Sequence, residues 1–191
     1  MTLGTKAIVV GAVANLFLSL IKFIGGFFGN SIALVADAFH SLSDLITDGV
    51  VYISHGVGQL PPDKNHPYGH GRAETIGTTV VGLLIIITGL GVAYEAWETI
   101  TQSIDKTPGW LAATIAMLSI FINEGLYHYT RKIGEATKSP SMTANAWHHR
   151  TDAISSIAAF IGILGAWNGI AIMDPLAGGL VGLMVCKVGY D

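Results

Sequence analysis

Charge is scarce in this chain. Asp, Glu, Lys and Arg make up 12% of the 191 residues and hydrophobic residues 51%, against about a quarter charged in an average soluble domain. With a mean hydropathy of +0.55, this excludes an ordinary soluble domain as the first reading and points to a membrane protein. Basic runs are missing too, and the formal net charge is -3, so the chain has no footprint for a nucleic-acid partner. The one cysteine, Cys186, lies in a hydrophobic run; it cannot form an internal disulfide and reads as a small buried hydrophobe. The first apolar stretch, Ala7 to Phe28, is too long for a signal-peptide core and has no A-x-A-like cleavage site, so it reads as a retained helix.

What is present is apolar sequence in crossing-length pieces. At about 20 residues per crossing, hydropathy divides the chain into six spans, roughly 5–28, 31–55, 76–97, 109–130, 142–166 and 170–188. Helices satisfy their backbone hydrogen bonds internally in lipid. The expected fold is therefore an all-α membrane protein of six transmembrane helices in the lipid bilayer, a single transmembrane domain over residues 1–191. Lys6, Lys64, Arg72, Arg131, Lys132, Lys138 and Lys187 fall on one side and Lys106 on the other, which places both termini in the cytoplasm. Lys22 and Arg150 lie inside predicted spans and read as snorkelling or paired with an acidic neighbour.

The second and fifth spans share a pattern. Ala36-Asp37-Ala38-Phe39-His40-Ser41-Leu42-Ser43-Asp44 aligns with Ala144-Asn145-Ala146-Trp147-His148-His149-Arg150-Thr151-Asp152. Three spans separate the copies, so the two helices cross in opposite directions, an inverted-repeat-like relation that places equivalent residues around a midplane site. His40 and Asp44 are four residues apart, as are His148 and Asp152, so each pair projects from one helical face. An ionised side chain near the bilayer centre costs at least about 2.5–3.5 kcal/mol, which calls for compensation by a cation or water. Two imidazoles and two carboxylates suit a tetrahedral divalent ion, Zn²⁺ in preference to Ca²⁺ or Mg²⁺, which favour oxygen-only shells. The same donors do not exclude cadmium, iron, cobalt or manganese. The plainer alternative is that these groups only hydrogen-bond to one another and hold the bundle together.

Around this set, Asp37 and Asn145 are candidates to hold the metal-binding histidines, which normally need a partner for the second ring nitrogen. Asp48, one turn after Asp44, could line the cytoplasmic approach. Asn123, Glu124 and Asp174 read as structural, and His55, His128 and His149 as non-ligands. Between the second and third spans, Leu60-Pro61-Pro62-Asp63-Lys64-Asn65-His66-Pro67-Tyr68-Gly69-His70-Gly71-Arg72 is a loop set by proline and glycine. Asp63, His66 and His70 could bind a second divalent ion there, although loop histidines are usually just solvated.

Together, H-S-L-S-D, P-x-D-x-x-H-P-Y-G-H-G-R-A-E, W-H-H-R-T-D and M-D-P-L-A-G resemble the cation diffusion facilitator family over nearly the whole chain. The resemblance implies a homodimeric six-helix transporter that exports divalent metal from the cytoplasm in exchange for protons. It puts the transport site on His40, Asp44, His148 and Asp152, a set associated in the family with zinc, and a loop site on Asp63, His66 and His70. Members typically continue past the sixth helix into a cytoplasmic metal-binding domain, whereas this sequence stops at Asp191. The expectation is a chain without that domain, by shortening or by nature, whose dimer rests on the helices, with Gly25-x-x-x-Gly29 and Gly178-x-x-x-Gly182 as close-packing candidates, although such pairs more often pack within one bundle. The loop between the fourth and fifth spans has no His-rich tract, which fits a compact prokaryotic-type protein of a bacterial inner membrane.

Two other classes of function compete. A zinc-dependent intramembrane hydrolase would need an open coordination position and a general base, but H-E-x-x-H is absent and four protein ligands leave no position for water. A proton or cation channel with an Asp/His relay would show no saturable metal binding. The expected protein is a secondary active transporter, not an enzyme.

Overall fold

A computed structural model describes residues 3–58, 60–102 and 107–190. The side chains of Asp48 and His55 and the whole of Lys106 lie outside the described residues. Six helices account for nearly all of it: α1 (Leu3–Phe28), α2 (Ile32–Gly58), α3 (Arg72–Thr101), α4 (Trp110–Thr137), α5 (Pro140–Trp167) and α6 (Met173–Tyr190), with no strand among the described residues. Each matches one predicted span. Helices α3, α4 and α5 outrun their apolar windows because polar turns such as Arg131–Thr137 continue the backbone ladder after hydropathy has ended. Helix α6 starts later than predicted, because Gly169 in the left-handed region (φ 90°) turns the chain after α5.

Local chemistry sets the turns. Asn30 adopts the left-handed conformation (φ 51°) after α1, and the Ser31 hydroxyl accepts the Leu34 amide at 3.1 Å to start α2. Lys138, also left-handed, ends α4; Ser139 caps α5 through the Met142 amide, and Pro140 sits where its missing N–H costs nothing.

Helix α2 is central, packing against α1, α3, α5 and α6, while α3 lies along α6 and α4 along α5. By length and composition, Val9–Phe28 of α1, Thr75–Thr101 of α3 and α4 are apolar enough to cross a membrane. Helices α2 and α5 carry instead the polar residues that the bundle encloses. The distribution is inverted relative to a soluble protein: Phe17, Leu83, Ile87 and Phe121 face outward, whereas Asp37, His40, Lys22 and Asp152 are buried.

Close helix contacts come from glycine. A Cβ on Gly89 would stand 2.7 Å from the Gly182 carbonyl oxygen, and one on Gly82 would stand 2.6 Å from that of Gly189, so α3 and α6 meet backbone to backbone. The two glycine motifs considered as dimer candidates follow the other reading and pack within the bundle. Gly25 and Gly29 pack against Ile115 and Ala112 of α4, and Gly178 and Gly182 against α2 and α3. Both seams are already used within one bundle.

Candidate metal centre

The spacing of four in each H-x-x-x-D motif places His40 above Asp44 on α2 and His148 above Asp152 on α5. The fold adds what spacing alone leaves open, namely that the two faces oppose one another. His148 Nε2 lies 3.7 Å from Asp44 Oδ2 across the helix interface and 3.9 Å from Asp152 Oδ2, and His40 Nε2 lies 3.9 Å from Asp44 Oδ2. His40, Asp44 and Asp152 each offer a ligand atom within 4.8 Å of the others. These separations are too long for hydrogen bonds. They approach the roughly 3.3–3.6 Å between donors that each stand about 2.0–2.2 Å from a tetrahedral ion.

Burial makes the arrangement costly without a cation. The side chains of His40, Asp44 and Asp152 are 4%, 10% and 2% exposed, whereas that of His148 is 37% exposed. Both ring nitrogens of His40 and Oδ1 of Asp152 are buried with no hydrogen-bond partner, a state that native structures rarely tolerate. The donors thus have the chemistry and spacing to hold a divalent ion.

Two neighbours behave differently from expectation. Asp37 does not hold a metal-binding histidine. Its carboxylate faces the Lys22 ammonium at 2.9 Å and accepts the hydroxyls of Ser155 and Ser156 at 2.5 and 2.7 Å. Among the described residues, neither Asp37 nor Asn145 holds a ring nitrogen of His40 or His148. Lys22 therefore does pair with an acid, and it also donates to Ser41 at 3.0 Å. Among the described residues Arg150 finds no acid, and it lies over the Tyr127 ring, 4.7 Å from its centroid. Ser41, Ser155 and Ser156 carried no signal in sequence, because single hydroxyls in a helix do not show which way they face.

The remaining polar residues take structural positions. Asp174 accepts the Ser31 hydroxyl at 2.6 Å and the Ile32 amide at 2.8 Å, tying the start of α6 to the start of α2. Glu124 pairs within its own helix with exposed His128 at 3.3 Å. His149 points away from the ligand set and packs on Gly11, where a Cβ would stand 3.0 Å from its Nε2.

The loop residues also converge. Asp63 Oδ1 accepts the amides of Asn65 and His66 at 2.8 and 2.6 Å, an Asx-type turn that folds His66 back to 3.2 Å from the same oxygen. His70 Nε2 lies 3.4 Å from Asp63 Oδ2, and the two imidazoles are 4.4 Å apart. The backbone amide of His66, ahead of every other influence, holds the Asp63 carboxyl below its ordinary value. Asp63 and His66 are open to water, whereas His70 is mostly covered.

An apolar-surfaced bundle of six helices with ionisable side chains at its centre defines a multi-pass membrane protein. Sequence comparison places it more closely: the chain belongs to the cation diffusion facilitator family of metal transporters, residues 8–191 matching the cation efflux transmembrane domain. It is 39% identical to metal tolerance protein C1 of Arabidopsis thaliana over 97% of this chain and 43% of that protein. It is 35% identical to the manganese efflux system protein MneS of Bacillus subtilis, over 98% of this chain and 65% of the relative. With the magnetosome protein MamB of Paramagnetospirillum magneticum the identity is 32%, over 93% and 60%. The chain thus spans about two fifths to two thirds of the length of these curated relatives. Members of the family are transporters rather than enzymes.

Proposed function

We propose that this chain is the membrane part of a divalent-metal exporter that carries Zn²⁺ on His40, Asp44, His148 and Asp152. The observation that carries this reading is the approach of opposed helices at one place: His40, Asp44 and Asp152 offer buried donors within 4.8 Å of one another, and the half-buried His148 lies 3.7 and 3.9 Å from the two carboxylates. The B. subtilis relative is named for manganese, which makes Mn²⁺ the competing cargo. Two nitrogen donors favour zinc over the harder manganese ion. The Lys and Arg bias assigns the 59–71 loop and both termini to the cytoplasmic face, and the loop cluster to cytoplasmic metal, within a bacterial inner membrane. Metal binding requires neutral imidazole and ionised carboxylate. Protons that enter the outward-open site therefore compete with the ion, which makes exchange of metal for H⁺ by alternating access the matching mechanism. Homodimerisation, carried over from the family resemblance, must use faces other than the two glycine seams.

The test is metal uptake into proteoliposomes loaded with a zinc-sensitive dye under an imposed pH gradient, with zinc and manganese compared. Wild type should move zinc in a gradient-dependent way, and Asp152→Ala should not. Equal flux in the variant would remove the site assignment, and manganese flux exceeding zinc flux would reverse the choice of cargo.

A further inference from the structure

The two sides of the ligand cluster are built differently. Connectivity places the ends of α2 and α6 and the start of α3 on the side of the 59–71 loop. There Thr47, one turn past Asp44, lines a cavity of about 470 Å³ with Val50, Thr78, Thr79, Ile86 and Gly189. On the far side, one turn before His40 and one turn after Asp152, lies the ion pair of Lys22 and Asp37, both fully inaccessible. Its hydrogen bonds to Ser41, Ser155 and Ser156 bind α1, α2 and α5 together at one level. Beyond it, Ala33, Ala159 and Ala177 from α2, α5 and α6 close the packing.

We propose that Lys22 and Asp37 are positioning residues for transport. Resting on the transport reading above, the proposal is that they seal the far side of the site and must part before the cation can leave in that direction. The partners suit a reversible seal. An ammonium and a carboxylate in a dry interior hold each other strongly, while the serine hydroxyls hold Asp37 between α2 and α5. Every group in the network is satisfied in this state, so opening requires all three helices to separate together. The cation itself supplies no contact to Lys22. The ammonium repels it, and this also discourages passage while the pair is closed.

The test uses reconstituted full chain in a Cys186→Ser background with one reporter cysteine, either Ala159→Cys beyond the seal or Thr47→Cys in the loop-side cavity. Each is reacted with a water-soluble maleimide. Lys22→Met combined with Asp37→Asn removes both charges and leaves neither unpaired. This pair should raise labelling at position 159 by about tenfold or more and lower it at position 47, as expected when a two-state equilibrium shifts. A rise at both positions would mean general loosening, and no change would mean that the pair is only a strut; either result overturns the proposal. Should the double variant fail to fold, Ser155→Ala with Ser156→Ala keeps both charges and gives the same reciprocal readout. Zinc binding to the wild-type chain, measured by calorimetry, is independent of labelling. Its absence would sink the transport site while the labelling result still decides the seal.

Discussion

The two His/Asp clusters use the same side chains and differ in what surrounds them. In the loop, Asp63, His66 and His70 are gathered by one turn, and solvent reaches Asp63 and His66 freely and His70 at its edge. In the bundle, His40, Asp44, His148 and Asp152 are gathered only by the packing of α2 on α5, and water is nearly shut out from all but His148. An unfilled loop site costs less, since water solvates Asp63 and His66, and only Nδ1 of His70 is buried without a partner there. An unfilled buried site leaves imidazole nitrogens and a carboxylate oxygen without partners, so binding there gains more from each donor. The comparison teaches that donor identity sets which ion fits, and burial sets how much the protein depends on it.

That contrast can be broken, most severely at the buried set. Asp152→Ala should reduce zinc flux by at least about 100-fold, more than loss of an outer-shell partner would, read as dye response in proteoliposomes. Next in size, Lys22→Met alone strands Asp37 as a buried charge and should destabilise the fold by about 3–5 kcal/mol. Adding Asp37→Asn should recover most of that loss in thermal unfolding monitored in detergent. Gly89→Ala would drive a methyl against the Gly182 carbonyl and Cys186. It should cost about 1–3 kcal/mol by the same assay, whereas Gly125→Ala, with nothing within 4 Å of its Cβ position, should not destabilise.

At the loop the effects are smaller. His70→Ala should abolish the weaker class of zinc sites in equilibrium dialysis and leave saturating flux within about twofold, because the buried donors are untouched. Loss of flux comparable to Asp152→Ala would show that the loop is an obligatory station. Smallest is the pH effect. The folded Asp63 carboxyl is held low by the His66 amide, so its contribution is full above the ordinary aspartate range and is lost only as pH falls through the lower folded value. Asp63→Asn should therefore weaken loop zinc binding by a constant factor at every pH above about 4, measured as affinity across a pH series.

Much of this was legible in the sequence. The number and order of helices followed from hydropathy, since α1, α3 and α4 are long apolar runs. The pairing of each His with an Asp on one face followed from spacing, since i and i+4 share a face in any helix. Asp63, His66 and His70 were equally legible because a short turn joins them. The partner of Asp37 was not legible. Matching it to Asn145 across the repeat suggested a histidine contact, yet Lys22 on α1 and two serines on α5 claim it. The partners of the glycine seams were not legible for a related reason: a G-x-x-x-G motif declares that something packs closely, not what.

The sequence by itself determined the elements, the donor types and the pairs within each helix, because those depend on composition and on a repeat of 3.6 residues that every helix obeys. Only the tertiary structure decided which faces meet. It set Asp44 against His148, bound three helices at Lys22 and Asp37, and closed the glycine seams within one bundle. Contacts between helices depend on the rotation and depth of each helix against its neighbours, and these are settled only when all six pack at once.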